Sequence, residues 1–223
     1  MELDEFKREF DLVYNNLASN QAAGLTPYEI SVYLTKAQYT LEDALYQEYE
    51  VSEEARRKLA NLVVTKELPV LTSLNSSDFV YPEYTVAFDL SEVSDLRYII
   101  NEKLKLSNSA DRCVRNKIIS VTPVSHDEVD RLINNPFRFN NSRAFRLDTS
   151  KSSAPYIEIL AKDKNIAYYK IRYIKTPPPI ILEDISPDSI EGRSKASPCM
   201  MNEVLHRQIV EIAAKMAYQD YKV

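Results

Sequence analysis

Apolar residues at the start of the chain recur at spacings of three and four: Leu3, Phe6, Phe10, Val13 and Leu17. Such positions share one face of a 3.6-residue helix, so the spacing predicts an amphipathic helix over residues 3–18. Asn20, Gln21 and Gly24 break it. A second helix opens on a strong local signal. Thr26 can cap it, Pro27 suits a first position whose N–H has no partner, and Glu29 can reach back to the cap N–H. Leu25 can staple against Ile30. The stripe Ile30, Leu34, Ala37, Leu41 and Leu45 extends this helix to about Tyr49. Ser52 caps a third helix through Leu62, with Glu53 and Glu54 where the helix dipole favours them.

After Val63 the period changes. Leu68–Leu74, Tyr84–Leu90, Asn116–Thr122 and Arg143–Asp148 read as strands. The clearest is Leu96–Leu106, where Tyr98, Ile100, Glu102, Leu104 and Leu106 alternate with Ile99, Asn101, Lys103 and Lys105. Ser125 reads as the cap of a short helix near 125–134, stopped by Asn134, Asn135 and Pro136. Tyr156–Leu160 and Ala167–Lys175 read as an antiparallel pair, ended by Pro177–Pro179, which supply no N–H groups. Residues 183–198 form a polar connector. The last helix runs from Met200 to Tyr221 on Val204, Leu205, Ile209, Ile212, Ala213 and Met216. The fold class is therefore α+β: N- and C-terminal helices packed as a helical bundle, with a β-rich insertion between them. The expected divisions are 1–65 (helical), 66–182 (insertion), 183–198 (connector) and 199–223 (C-terminal helix).

Composition narrows the chemistry. The 223 residues include only Gly24 and Gly192, against roughly fifteen at the usual abundance of about 7%. A P-loop, a dinucleotide fingerprint and a glycine-rich lid each need several positions without a Cβ, so none is present. The formal net charge is −5, which argues against a dedicated DNA-coating protein. Charge is unevenly spread, however. Residues 1–60 carry six basic and twelve acidic side chains, whereas residues 61–180 carry seventeen and fourteen. This suits either solvated surface, contact between neighbouring subunits, or a basic face towards DNA. No apolar run approaches the length of about eighteen residues that suggests a membrane helix. The acidic start MELDEFKREF lacks an apolar signal region, so a reduced cytoplasmic site of synthesis is expected.

Candidate catalytic groups are few. His126 and His206 each have acids nearby, but two ligands do not make a zinc site. Cys113 with His126, or Cys199 with His206, would supply a thiol and a base, yet nothing supplies an oxyanion hole or an orienting partner. No enzyme activity, metal or cofactor is expected. The segment Asn134–Leu147 is richer: Phe137, Phe139 and Phe145 interleave with Arg138, Arg143 and Arg146. Arginine and aromatic side chains can stack on single-stranded nucleic acid. They are also enriched at interface centres, and the same pattern fits a loop anchored by its phenylalanines. Helix two carries Tyr28, Tyr33, Tyr39, Tyr46 and Tyr49, which cannot all lie on its core stripe and so suit an oligomer surface. The expected interface residues are Tyr28, Tyr33, Tyr39, Tyr46, Phe137, Arg138, Phe139, Arg143 and Arg146. Tyr168, Tyr169 and Tyr173 read as structural strand-formers.

Two long stretches, GLTPYEISVYLTKAQYTLEDALY onward to RRKLANLVV and VTPVSHDEVDRLINNPFRFNNSRAFRLD, carry a family resemblance. With Tyr168–Leu182 and the C-terminal LHRQIVEIAAKMA, they resemble structural proteins of crAss-like phages of gut Bacteroidales, in particular ring or adaptor proteins of the head-to-tail connector. The resemblance implies a virion subunit without enzymatic activity. It implies a homo-oligomeric ring, commonly twelvefold, below the portal protein. Such a ring extends the channel for double-stranded genomic DNA without sequence-specific binding and attaches later tail components. It also implies that Pro123, His126, Asp127, Asn134, Asn135, Pro136, Phe137, Arg138, Arg143 and Arg146 shape the insertion and the subunit contacts. The alternatives are another tail or collar protein, or a nucleic-acid-binding module built on the Arg/Phe segment.

Overall fold

A computed structural model describes residues 1–18, 24–68, 70, 79–107, 117–151 and 154–221. The chain divides into two compact units. One comprises Met1–Val63 with Thr176–Val223, and the other Val64–Lys175.

The first unit is helical. It holds α1 (Leu3–Leu17), α2 (Pro27–Gln47), α3 (Glu53–Leu59, continued by a 3-10 turn to Leu62) and α5 (His206–Tyr221). The N- and C-terminal helices pack together, α5 lying against both α1 and α2. Phe6, Phe10 and Tyr14 of α1 are buried, as are Ile30, Leu34 and Ala37 of α2. Ile209, Val210, Ala213, Ala214 and Ala217 are the apolar buried residues of α5; its alanines permit close approach. The capping box at α2 is complete. Glu29 N–H donates to Thr26 Oγ1 at 3.3 Å, and Thr26 N–H donates to Glu29 Oε2 at 2.7 Å.

The proline run belongs to this unit, lying along α2. Gln38 Nε2 donates to Pro178 O at 3.0 Å. Ile180 N–H donates to Thr35 Oγ1, and Leu182 N–H to Ser31 Oγ, each at 3.1 Å. The two hydroxyls donate in turn to carbonyls one helical turn back, Thr35 to Ser31 O and Ser31 to Pro27 O. Each hydroxyl thus satisfies a buried strap N–H while keeping its own proton bonded. Ile181, Ile185 and Ile190 form a small separate core with half-buried Val32. The turn beyond it needs positive φ at Glu191 and Gly192, +52° and +74°, and at Gly192 the missing Cβ removes the penalty.

The last helix starts later than its apolar pattern predicts. Asn202 caps a 3-10 turn at Glu203–Leu205, accepting from Val204 N–H at 3.2 Å. Val204 therefore sits in that turn, exposed, instead of joining the stripe.

The second unit is a seven-stranded sheet: β1 (Val63–Leu68), β2 (Thr85–Asp89), β3 (Leu96–Leu106), β4 (Ile118–Pro123), β5 (Arg143–Lys151), β6 (Ala154–Ala161) and β7 (Ile166–Lys175). The spatial order is β1-β7-β3-β4-β5-β6-β2. β4 and β5 pair in parallel. Val70, just beyond β1, bridges Phe88 of β2 at the opposite edge, so the sheet curls towards a barrel. Its enclosed face carries Phe88, Leu104, Leu106, Ile119, Val121, Ile157, Ile159, Tyr169, Ile171 and Tyr173. The other face of β5 and β6 is covered by α4 (Val129–Ile133), where Val129 and Leu132 pack on Phe139, Phe145, Leu147 and Leu160.

Two sequence expectations change here. β6 and β7 do not form a hairpin. β6 lies between β5 and β2, and β7 between β3 and β1. The eleven-residue β3 gives β7 a long partner, while β6 pairs antiparallel with β5, the strand before it in sequence. Ser125 does not cap α4. It opens a preceding turn, accepting Glu128 N–H at its carbonyl, 3.1 Å, and the helix begins four residues later than Ser125. The turn expected at Asn75–Asp78 lies outside the described residues, as do most of the strand at 68–74 and Cys113.

Candidate assembly surfaces

The Arg/Phe segment is divided by the fold. After α4, Asn135 Oδ1 accepts from Phe137 N–H at 3.0 Å, and the Asn135 carbonyl accepts from Phe139 N–H at 2.8 Å. Asn140 closes the loop, donating to Phe137 O at 3.1 Å and accepting from Ser142 N–H at 2.9 Å. These bonds turn alternate residues apart. Phe139 is 4% exposed, edge-on to Tyr84 at 5.0 Å, whereas Phe137 is 88% exposed. Arg138 and Arg143 also face solvent. Asn-rich turns could signal such a loop in the sequence, but not which phenylalanine it presents.

Arg146 points into the barrel instead. It is buried against Glu102, and its Nε lies 2.9 Å from Asp148 Oδ1, whose side chain remains largely exposed. Tyr169 OH donates to Glu102 Oε1 at 3.1 Å. Burial holds the Tyr169 phenol well above its ordinary pKa, with Arg146 opposing. Tyr173 donates to Asp95 Oδ1 at 2.9 Å, and burial followed by that bond pushes it up to about 12. Glu102, Arg146 and the two phenols are buried inside the barrel, whereas Asp95 and Asp148 meet them from exposed positions. Arg146 and Phe139 are thus packed within their own unit, which leaves Phe137, Arg138 and Arg143 on its surface.

The tyrosines of α2 also divide. Tyr28 is exposed. Tyr33 OH donates to Asp220 of α5 at 3.0 Å, and Tyr39 OH to Glu191 at 2.6 Å. Both therefore join elements of the helical unit. Tyr46 is half-buried, its ring 6.3 Å from that of Tyr49. Beyond these rings the chain turns through Glu48, Glu50 and Val51, and Val51 is 85% exposed.

Two of the candidate catalytic groups, His206 and Cys199, serve structure. His206 is buried, its Nε2 3.1 Å from Met201 O and its Nδ1 3.0 Å from the Met1 amino group. Nε2 therefore carries the proton and Nδ1 accepts. Burial lowers the His206 pKa. The Cys199 thiol lies 3.4 Å from Gln38 Oε1, and burial pushes it up to about 11. It is protonated at neutral pH, the opposite of an activated nucleophile. Exposed His126 lies 3.2 Å from Asp148 O. Among the described residues, no three His, Cys, Asp or Glu side chains are grouped to hold a metal ion.

One surface was missed by motif reading. The outward face of β3 and β7 places Lys103 opposite Lys170, Lys105 opposite Tyr168 and Asn101 opposite Arg172. Lys103, Lys170 and Arg172 surround a pocket of about 100 Å³ with Thr65 and Asn101. The period-two spacing of Lys103/Lys105 and Lys170/Arg172 carried half the signal. Which strands lie side by side supplied the rest.

Comparison with known proteins bears on the chain as a whole. The model for the phage tail ring protein 3/4 family matches residues 1–223. Ring protein 3 of Bacteroides phage crAss001 is 34% identical, the match covering 96% of this chain and 93% of that protein. Ring protein 4/5 of the same phage is 28% identical, over 100% of this chain and 94% of its own length.

Proposed function

The chain belongs to the phage tail ring protein 3/4 family, a structural ring and connector family of crAss-like phages, and from that premise we propose that it forms one ring of the virion head-to-tail connector. The single observation carrying this reading is the family match over residues 1–223. The ring is homo-oligomeric and twelvefold, sits below the portal protein, extends the channel for double-stranded DNA and receives later tail components. It is made in the host cytoplasm, works without catalytic chemistry or a cofactor, and lets the genome pass without reading its sequence.

A closed ring requires heterologous contacts, so each subunit must present two different surfaces. Tyr28, Phe137, Arg138 and Arg143 are the exposed members of the expected interface set. Phe137 is the strongest candidate: a large apolar side chain held in solvent by a hydrogen-bonded loop fits an interface centre. The nucleic-acid reading weakens correspondingly, because Phe139, Phe145 and Arg146 are buried and cannot stack on bases.

Reconstruction of intact virions by cryo-electron microscopy, with peptide mass spectrometry of the purified particles, tests this function. The expected result is a ring of this chain between the portal and the distal tail. Absence of the chain from purified particles rejects the proposal. Its presence in a collar or fibre outside the channel replaces the assignment with a different tail role.

A further inference from the structure

Opposite charges face each other across strands far more favourably than like charges do. The β3–β7 pair nevertheless sets Lys103 directly opposite Lys170 on an exposed face. Lys170 Nζ lies 2.8 Å from Glu67, whereas Lys103 has no ion partner among the described residues. Lys105 and Lys170 approach the Tyr168 ring at 5.6 and 5.3 Å, and Arg172 reaches Thr65 Oγ1 at 3.2 Å. Four cations thus gather around one tyrosine and a small polar pocket, with Glu67 the one carboxylate paired to them among the described residues.

The helical unit has the opposite character. It carries nineteen acidic and eleven basic side chains, while the barrel unit carries fourteen and seventeen. Several of its acids are engaged locally: Glu53 with Arg57, Glu54 with Lys58, and Glu191 with Tyr39. Glu48 and Glu50 have no such partner among the described residues. They lie in the turn that presents Val51 to solvent, next in sequence to the Tyr46–Tyr49 ring pair. This corner combines negative charge with the exposed Val51 and two half-buried rings, matching the lysines and the tyrosine of the sheet face.

We propose that the outward β3–β7 face, centred on Lys103, Lys170 and Tyr168, binds the Glu48–Val51 corner of a second copy of this chain. The contact joins two unlike surfaces, the heterologous kind from which rings are built. Its charges steer and orient the approach, and Val51 and Tyr168 supply apolar area. This assignment rests on the ring reading above and adds to it the two surfaces that meet.

Zero-length carbodiimide coupling tests it, because that reagent joins only amines and carboxylates already in contact. Purified virions and the isolated full chain, diluted to monomer, are coupled and mapped by peptide mass spectrometry. The expected result is Lys103, Lys105 or Lys170 joined to Glu48 or Glu50 in virions, with loss of that link in the monomer. If these lysines couple to another protein, couple to nothing, or react only after DNA is emptied from the particles, the proposal is overturned. Absence of this chain from the virions instead rejects the ring reading beneath it.

Discussion

Removing the guanidinium of Arg146 would strand the Glu102 carboxylate inside the barrel, with Tyr169 its one remaining donor among the described residues. Breaking a buried pair from one side costs about 3–5 kcal/mol, whereas replacing both partners by apolar groups of similar size is often nearly neutral. Arg146→Met is therefore expected to lose stability on that scale in urea unfolding, and Arg146→Met combined with Glu102→Leu to recover most of it. If both variants unfold like the parent, the pair has no structural role. The sequence puts Ala144 and Arg146 on one face of β5 and Phe145 and Leu147 on the other, and the strand does so. It cannot say which face is interior, because both are. One is enclosed by the barrel and the other covered by α4. Phe139 and Phe137 pose a similar limit, since hydrogen bonds from two asparagines decide which ring is turned inward.

Among the elements, α2 separates readable from unreadable information clearly. Its start is local: Thr26, Pro27 and Glu29 lie within four residues and make the cap that their chemistry suggests. Its polar buried face is not local. Ser31, Thr35 and Gln38 lie beside the apolar stripe, and the partner that buries them is the strap at 178–182, 140 to 151 residues away in sequence. Thr35→Val keeps the shape but leaves Ile180 N–H without an acceptor in a buried site. It should lower stability by about 1–3 kcal/mol, the penalty for such an orphan. Thr26→Ala should cost about 1 kcal/mol through the cap alone. Chemical denaturation of the two variants checks the ranking. A Thr35→Val protein as stable as the parent means that the strap is not held by this bond. Strand pairing followed the same division, as β3 was readable by its alternation while the placement of β6 and β7 depended on long-range partners.

At the scale of the whole molecule, the two units have different titratable groups in their cores, so acid should weaken them unequally. In the helical unit, burial lowers the His206 pKa below its ordinary 6.5. Folding therefore favours the neutral ring, and its contribution is full above pH 6.5 and is lost as pH falls through the folded value. Glu29 and Asp184, held low by hydrogen bonds to Thr26 and Ser186, extend the loss below pH 4.5. In the barrel, Tyr169 and Tyr173 are raised above 10.0. Folding there favours the neutral phenol, so that contribution is complete below pH 10 and disappears as pH rises through about 12 for Tyr173. Hydrogen exchange read by mass spectrometry, corrected for its intrinsic pH dependence, can follow the units separately. Between pH 7.5 and 5.5, peptides from 206–221 should lose protection while those from 166–175 keep it. His206→Gln should flatten that dependence in the helical peptides, because the group that must charge is gone. Above pH 10 the barrel strands should lose protection as well, with Tyr173→Phe delaying it, while the Cys199 thiol, raised by burial to about 11, gives the helical unit an alkaline limit of its own. Equal loss of protection in both units along the acid limb would mean that His206 does not set the acid limit of the helical unit.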